Sequence, residues 1–497
     1  MEIKRLEKIK SIRKSEIEKL AASPIKRKLK KIVYLLKYGM PFAKFIKYAF
    51  SYLFIIPIAK IKTDLKSKAI KKEYFGKTID DAGGKVVYSS SDNCYIAVNI
   101  GNAGIGDAIV AIRFLRDLTD FVSYKNGGKD SNCDKGDKGG KDSNCDKDGN
   151  GGNGSNCDKT VNDGNGSKDC QIVFDVFYRS PDSIKFITAA LPNVRRVLNL
   201  PDYALLRKFY DIDLRLNTFF IKEEINELSR DKISKKFPSV LKIIENIKTN
   251  QSALEQYIKT RPFSEGILSD AVTAMGLSRA SYLNSIAGIG IAAPADTETK
   301  ALKLDIGIYS ASDITAKFNL KGKKFITVHD GWDENTKTKT GSSTKSYPHE
   351  KWSELVTLLK QKFPDYITVQ LGGLGNGSDI ENIDLNLRGK TTLKEAASLL
   401  AASSMHIDTD SGLVHIAVSL GTPCAVLFGP TNVAYCSYSQ LSNYIAITPR
   451  LCGNCWWSTD DWMETCPRGL NVPECMNSIE PIDIINKIKN KTECKKK

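Results

Sequence analysis

One stretch, Met405 to Thr431 (MHIDTDSGLVHIAVSLGTPCAVLFGPT), limits what this chain can become more than any other. Met405 to Asp408 reads as a strand. Thr409, Asp410, Ser411 and Gly412 are turn and helix-capping residues. Leu413 to Leu420 is an apolar helix, and Gly421 and Pro423 stop it. Cys424 to Phe428 is a short continuous apolar run, as a strand buried on both faces requires. Strand, helix, strand in this order make a right-handed crossover between parallel strands. Asp410-Ser411-Gly412 and Gly429-Pro430-Thr431 then share the carboxyl edge of one sheet, where open α/β sheets bind ligands.

That edge suits a sugar nucleotide. A helix N-terminus offers free N–H groups and partial positive charge to a diphosphate. Gly412 lets a phosphate approach the backbone. Ser411 and His415 stand four residues apart on one helix face, and Asp410 can accept hydrogen bonds from sugar hydroxyls. The alternative is a core crossover whose Asp and Ser only cap a helix. The string DSGLVHIAVSLGTPCAVLFGPT resembles the signature of glycosyltransferase family 9, the ADP-heptose heptosyltransferases. The resemblance runs from about Tyr95 to Ile488, is strongest from Phe325 onward, and implies a GT-B fold, two Rossmann-like domains facing a cleft.

Further residues follow from the resemblance. Tyr95 to Ile100 reads as a strand, followed by the Gly-rich turn from Gly101 through Gly104 and Gly106 to Asp107, then a helix from Ala108 to Phe121. The turn lacks the Lys-Ser/Thr of a phosphate-binding P-loop. Family members carry a Gly-Asp here whose Asp is the proposed catalytic base, so Gly106-Asp107 takes that place; the alternative is an ordinary N-cap. Thr344-Lys345-Ser346-Tyr347-Pro348 resembles the family's Lys-x-Trp-Pro element, which implies that Thr344 and Lys345 contact donor phosphates. Asp379 is the candidate for an acidic nucleoside contact. No cofactor is implied for catalysis.

The organisation expected is an arm over residues 1–90, an N-terminal Rossmann-like acceptor domain over 91–305 with a low-complexity insertion at 125–169, and a C-terminal nucleotide-sugar domain over 306–490. Residues 1–75 hold 21 Lys/Arg against 6 Asp/Glu, which accounts for +15 of the formal net charge of +16. The rest of the chain is nearly neutral, so no nucleic-acid partner is expected. Tyr48 to Ala59 is apolar but too short to span a bilayer; with its basic flanks it reads as an interfacial helix on an anionic membrane. The start lacks a cleavable secretory signal. The insertion repeats GGKDSNCDK from Gly127 and Gly139 with a period of twelve, and has almost nothing apolar to pack.

Cys452, Cys455, Cys466 and Cys475 form C-x2-C-x10-C-x8-C. Four thiolates suit a structural zinc or iron, with Trp456, Trp457 and Trp462 as a shield. The alternative is reduced, buried cysteines in a Trp-rich subdomain.

The expected function is inverting transfer of a heptose-type sugar from a nucleotide-sugar donor, ADP-heptose, to a hydroxyl of lipopolysaccharide core or another surface glycan. The place of action would be the cytoplasmic face of the inner membrane. A protein hydroxyl as acceptor, and an inactive GT-B sugar-binding protein, are the competing readings.

Overall fold

The computed structural model describes residues 11, 14, 15, 91–101, 103–127, 170–189, 191–260, 264–289, 302–330, 343–375, 377–450, 452–459 and 461–493. The basic arm and the repeat-bearing insertion lie outside them. Two sheets emerge. The first has strands β1 (Cys94–Gly101), β2 (Ile172–Tyr178), β3 (Val194–Asn199), β4 (Ile212–Asn217) and β5 (Phe220–Ile225), in the order β3-β2-β1-β4-β5. Its strands are parallel except β5, which pairs antiparallel with β4. The second has β6 (Lys324–His329), β7 (Tyr366–Gln370), β8 (Leu385–Asn386), β9 (Met405–Thr409), β10 (Cys424–Leu427) and β11 (Tyr444–Ile447). Its order is β11-β10-β9-β6-β7-β8 and every pairing is parallel. The two-sheet α/β architecture expected from the sequence is borne out.

Both strand orders reverse direction once. After β1 the chain steps to β2 on one side, while β4 joins on the other. After β6 it steps to β7, while β9 joins on the opposite side. These switch points are where neighbouring crossovers diverge and leave a crevice. The ends of β1, β6 and β9 therefore sit at crevices, and they carry the Gly-rich turn, His329 and Asp410.

Helix α1 (Ile105–Gly127) follows β1. It starts three residues earlier than the sequence suggested and runs six further. Helices α2 (His349–Lys362), α3 (Leu393–Ala402) and α4 (Gly412–Leu420) belong to the second sheet, and α5 (Pro481–Glu493) packs back on α2. α3 is held at its start by a reciprocal pair of bonds between Thr392 and Glu395. α4 ends at Gly421, whose φ of +79 closes the turn into β10.

The two sheets share apolar contact through α1 and α4. Ile109, Ile112, Leu115, Ile416 and Ala417 are all buried in one continuous cluster. A β-carbon at Gly412 would lie 3.2 Å from that of Ile105. The glycine therefore lets the two helix starts approach at the floor of the crevice.

Candidate active site

Alternation along β9 places His406 and Asp408 on one face. Both are fully buried. The Asp408 carboxylate accepts from the Thr409 amide at 2.7 Å and from the Ser411 hydroxyl at 2.5 Å. Its oxygens also lie 2.9 Å from His329 Nδ1 and 3.1 Å from His406 Nε2. Burial would raise this carboxyl, but His329 and then His406 outweigh it and hold it at about 2. The counterpart appears at His329, where burial disfavours the charge and Asp408 more than restores it, so its affinity for a proton rises. Ser411 caps α4: its oxygen accepts from the Leu413 amide at 3.2 Å while its proton goes to Asp408.

From the first sheet, the turn after β1 delivers Asp107 in the opening turn of α1. Asp107 is ion-paired with Arg279, whose own amide donates to the Tyr435 carbonyl at 2.8 Å. Arg279 is thus anchored to the second sheet's side of the crevice while its charge faces the first. Gly106 packs on the His415 ring so closely that a β-carbon there would lie 2.4 Å from His415 Cδ2.

His415 is buried, and burial first, then Arg279, Arg113 and Lys345, pushes its proton affinity well down. The ring is neutral. The Tyr438 oxygen accepts from Arg113 at 3.0 Å and shares a hydrogen bond with His415 Nδ1 at 2.5 Å. On the other side of the ring Arg279 Nη1 lies 3.4 Å from Nε2 and can only donate, so this contact has Nε2 as the acceptor.

These groups line one cleft of about 630 Å³ between the sheets. Gly104, Gly106, Asp107 and Arg279 border it on one side, and Lys345, Asp410, Ser411, Gly412 and His415 on the other. Lys345 Nζ donates to Asp410 at 3.0 Å. A mobile cation and a helix N-terminus converge there beside His415, a set that can neutralise a diphosphate.

Two residues singled out in the sequence lie elsewhere. Thr344 is buried, and its hydroxyl donates to the Trp462 carbonyl at 2.8 Å; its neighbours Ser343 and Ser346 reach the cleft instead. Asp379 is 71 % exposed and pairs with Arg388 at 2.6 Å, away from the cleft lining. Conversely, Arg279 and Tyr438 were not anticipated. The His406–Asp408 alternation was a readable signal, but nothing near Arg279 announces its role.

The four cysteines expected at a structural metal centre are placed as follows. Among the described residues no group of three or more His, Cys, Asp or Glu side chains is arranged to hold a metal ion. Cys452 meets Cys475 in a thiol hydrogen bond that, ahead of Arg468, lowers the Cys452 proton affinity and raises that of Cys475. Cys455 and Cys466 are buried but do not complete a set. Rings and backbone bonds also organise the segment. Trp462 lies 6.2 Å from Trp456 and 6.0 Å from Trp457. The Trp456 amide is pinned to the Pro430 carbonyl at 2.8 Å.

Comparison with known proteins agrees with the motif. Residues 334–455 match the model of Glycosyltransferase family 9 (heptosyltransferase). Lipooligosaccharide heptosyltransferase 2 of Haemophilus influenzae is 40% identical over 57 residues, which cover 12% of this chain and 16% of that protein. The match therefore spans less than a fifth of that relative's length. Among solved structures, ADP-heptose lps heptosyltransferase II of Escherichia coli aligns with a TM-score of 0.43 at 13% identity, over 81% of this chain and 100% of that one. The iron-containing dodecameric glycosyltransferase TibC of enterotoxigenic E. coli gives 0.45 at 13% identity, over 81% and 77%. The resemblance read from the sequence is borne out over the matched segment.

Proposed function

We propose that this chain, whose second sheet carries the family 9 glycosyltransferase signature, is an inverting transferase moving a heptose-type sugar from ADP-heptose to a glycan hydroxyl. The observation that carries the reading is the opposition, across one cleft, of Asp107 to the group of Lys345, Asp410, the α4 N-terminus and His415. Asp107 takes the proton of the acceptor hydroxyl as that oxygen bonds to the anomeric carbon. The bond from the anomeric carbon to the diphosphate oxygen breaks on the opposite face, so the centre inverts. Lys345 and the α4 amides, beside His415, receive the negative charge that leaves with the diphosphate. Arg279, between Asp107 and His415, adds a fixed positive charge to the same region. No step needs a metal or a redox group.

The acceptor is of the lipopolysaccharide-core type, and the basic arm brings the enzyme to the cytoplasmic face of the inner membrane. No helix among the described residues is long and apolar enough to cross a membrane; surface attachment therefore rests on the arm.

Two measurements test this reading. Asp107→Asn lowers transfer about 10²–10⁴-fold, the usual cost of losing a general base, with ADP affinity little changed. Lys345→Ala and His415→Ala each weaken ADP binding by about 1.5–3 kcal/mol, the range for charge-assisted bonds. Transfer by Asp107→Asn within threefold of wild type, or unaltered ADP affinity in both other variants, refutes the assignment.

A further inference from the structure

The cleft continues past Asp107 into a second chamber of about 560 Å³. The two share Gly104, Asp107, Arg279, Lys345, Asp410 and Met463. The far wall is aromatic: Phe219, Phe220, Trp456, Trp457 and Trp462. Three rings come from the Cys-rich segment. This places three tryptophans within seven residues beside the proposed base.

The wall is built rather than incidental. Trp457 holds φ at +56, which a bulky residue adopts only when its surroundings impose it. Gly266, on the helix Glu265–Ala274, comes so close that a β-carbon there would lie 2.5 Å from the Trp456 carbonyl oxygen. Trp456 packs 6.0 Å from Phe219, which stacks on Tyr435 at 4.9 Å. Trp462 is buried behind Trp456 and Trp457, whereas those two are only partly covered. Polar groups complete the chamber. Asn99 and Asn217 border it. The Thr431 hydroxyl and Arg279 Nε are buried there with no hydrogen-bond partner within the protein. Buried polar atoms normally find partners, so these two point to a ligand that supplies them.

An apolar face opposite hydrogen-bonding edges is the chemistry of a pyranose ring. An acyl chain would leave the polar atoms unmet, and the diphosphate belongs to the first chamber. We propose that this chamber is the acceptor subsite: a pyranose ring of the acceptor lies against Trp456 and Trp457, with one hydroxyl directed to Asp107. This rests on the transferase reading above and specifies its acceptor side.

The test uses the full chain and two probes, ADP and a lipid-free, heptose-terminated oligosaccharide. Their affinities are compared in wild type, Trp457→Leu and Trp457→Phe, with thermal melts to confirm folding. Trp457→Leu keeps apolar bulk but loses the ring, and should weaken oligosaccharide binding at least about tenfold. Trp457→Phe, which keeps a ring, should stay within threefold, and ADP affinity should stay within twofold in both. Equal oligosaccharide affinity in wild type and Trp457→Leu overturns the subsite. So does a matching loss of ADP affinity, which would give the wall to the donor base. So does tight binding of a Ser/Thr peptide, but not the oligosaccharide, that the Leu variant abolishes. Wild type that binds ADP but no oligosaccharide also removes the subsite and leaves the donor reading standing. Wild type that binds no nucleotide diphosphate overturns the transferase reading itself.

Discussion

Gly106→Ala sets two effects against each other. In a helix, Ala is favoured over Gly by about 1 kcal/mol, and Gly106 lies in the first turn of α1, so local propensity alone predicts a small gain. The structure predicts a loss. The new β-carbon would sit 2.4 Å from His415 Cδ2 and 2.8 Å from Nε2. Ordinary carbon contacts lie at about 3.5 Å, so the ring must retreat by about 1 Å. It is held on its far side by the Tyr438 hydroxyl at 2.5 Å, and Tyr438 by Arg113 at 3.0 Å. A retreat of that size breaks the His–Tyr bond or compresses the Tyr–Arg pair. Overpacking costs about 1–3 kcal/mol, and a broken buried hydrogen bond about 1–3 more. Less the propensity gain, the net destabilisation is about 1–5 kcal/mol. If α1 moves instead, Asp107 moves with it, and a displacement of about 1 Å at a reacting group costs about 10²-fold in rate. Urea unfolding and transfer assays read both effects. The double variant Gly106→Ala/His415→Ala should recover much of the stability while its ADP binding stays weak. Gly106→Ala with unfolding free energy within about 0.5 kcal/mol of wild type and full activity would refute the packing described between the two sheets.

Other outcomes follow from the buried carboxylate and from the arm. Asp408 is held at about 2, below the roughly 3.9 of an unfolded Asp. Its contribution is therefore complete above about pH 4 and is lost as pH falls toward 2, about 2 kcal/mol in all. Asp408→Asn should destabilise the protein at pH 7, and its unfolding free energy should fall less steeply than wild type between pH 4 and 2.5; parallel slopes would contradict this. His329, with its proton affinity raised by the same pair, gives stability present below about pH 6.5 and lost as pH rises through its folded value. That is the same interaction and is counted once. Deleting residues 1–75 should leave ADP binding intact and abolish the salt-sensitive pelleting of the full chain with anionic vesicles. Equal pelleting of both forms would move the membrane contact elsewhere.

What could be read from the sequence tracks how local the determinants are. The β9–α4–β10 unit was legible because an apolar run, capping residues and a Gly/Pro stop are all contiguous. β5 is less local: its antiparallel pairing with β4 makes Phe220–Ile225 a strand. β8, two residues long, and β11 owe their assignment to neighbours. The site divides likewise. Asp107, Asp410, Ser411, Gly412 and His415 sit on turns that the local pattern marks. Arg279 reaches Asp107 across 172 positions, and no local pattern records that. Thr344 shows the converse: the family resemblance implied a place beside the donor, and long-range packing turned its hydroxyl toward Trp462.

The repeat-bearing insertion leaves the fold after α1 ends at Gly127 and returns just before β2 begins at Ile172. In a parallel sheet that is the amino edge, the side opposite the cleft. Both described flanks of the insertion are therefore joined to the enzyme on the face turned away from Asp107 and His415, so a reporter domain fused at either flank would be tethered to the back of the sheet rather than to the rim of the cleft.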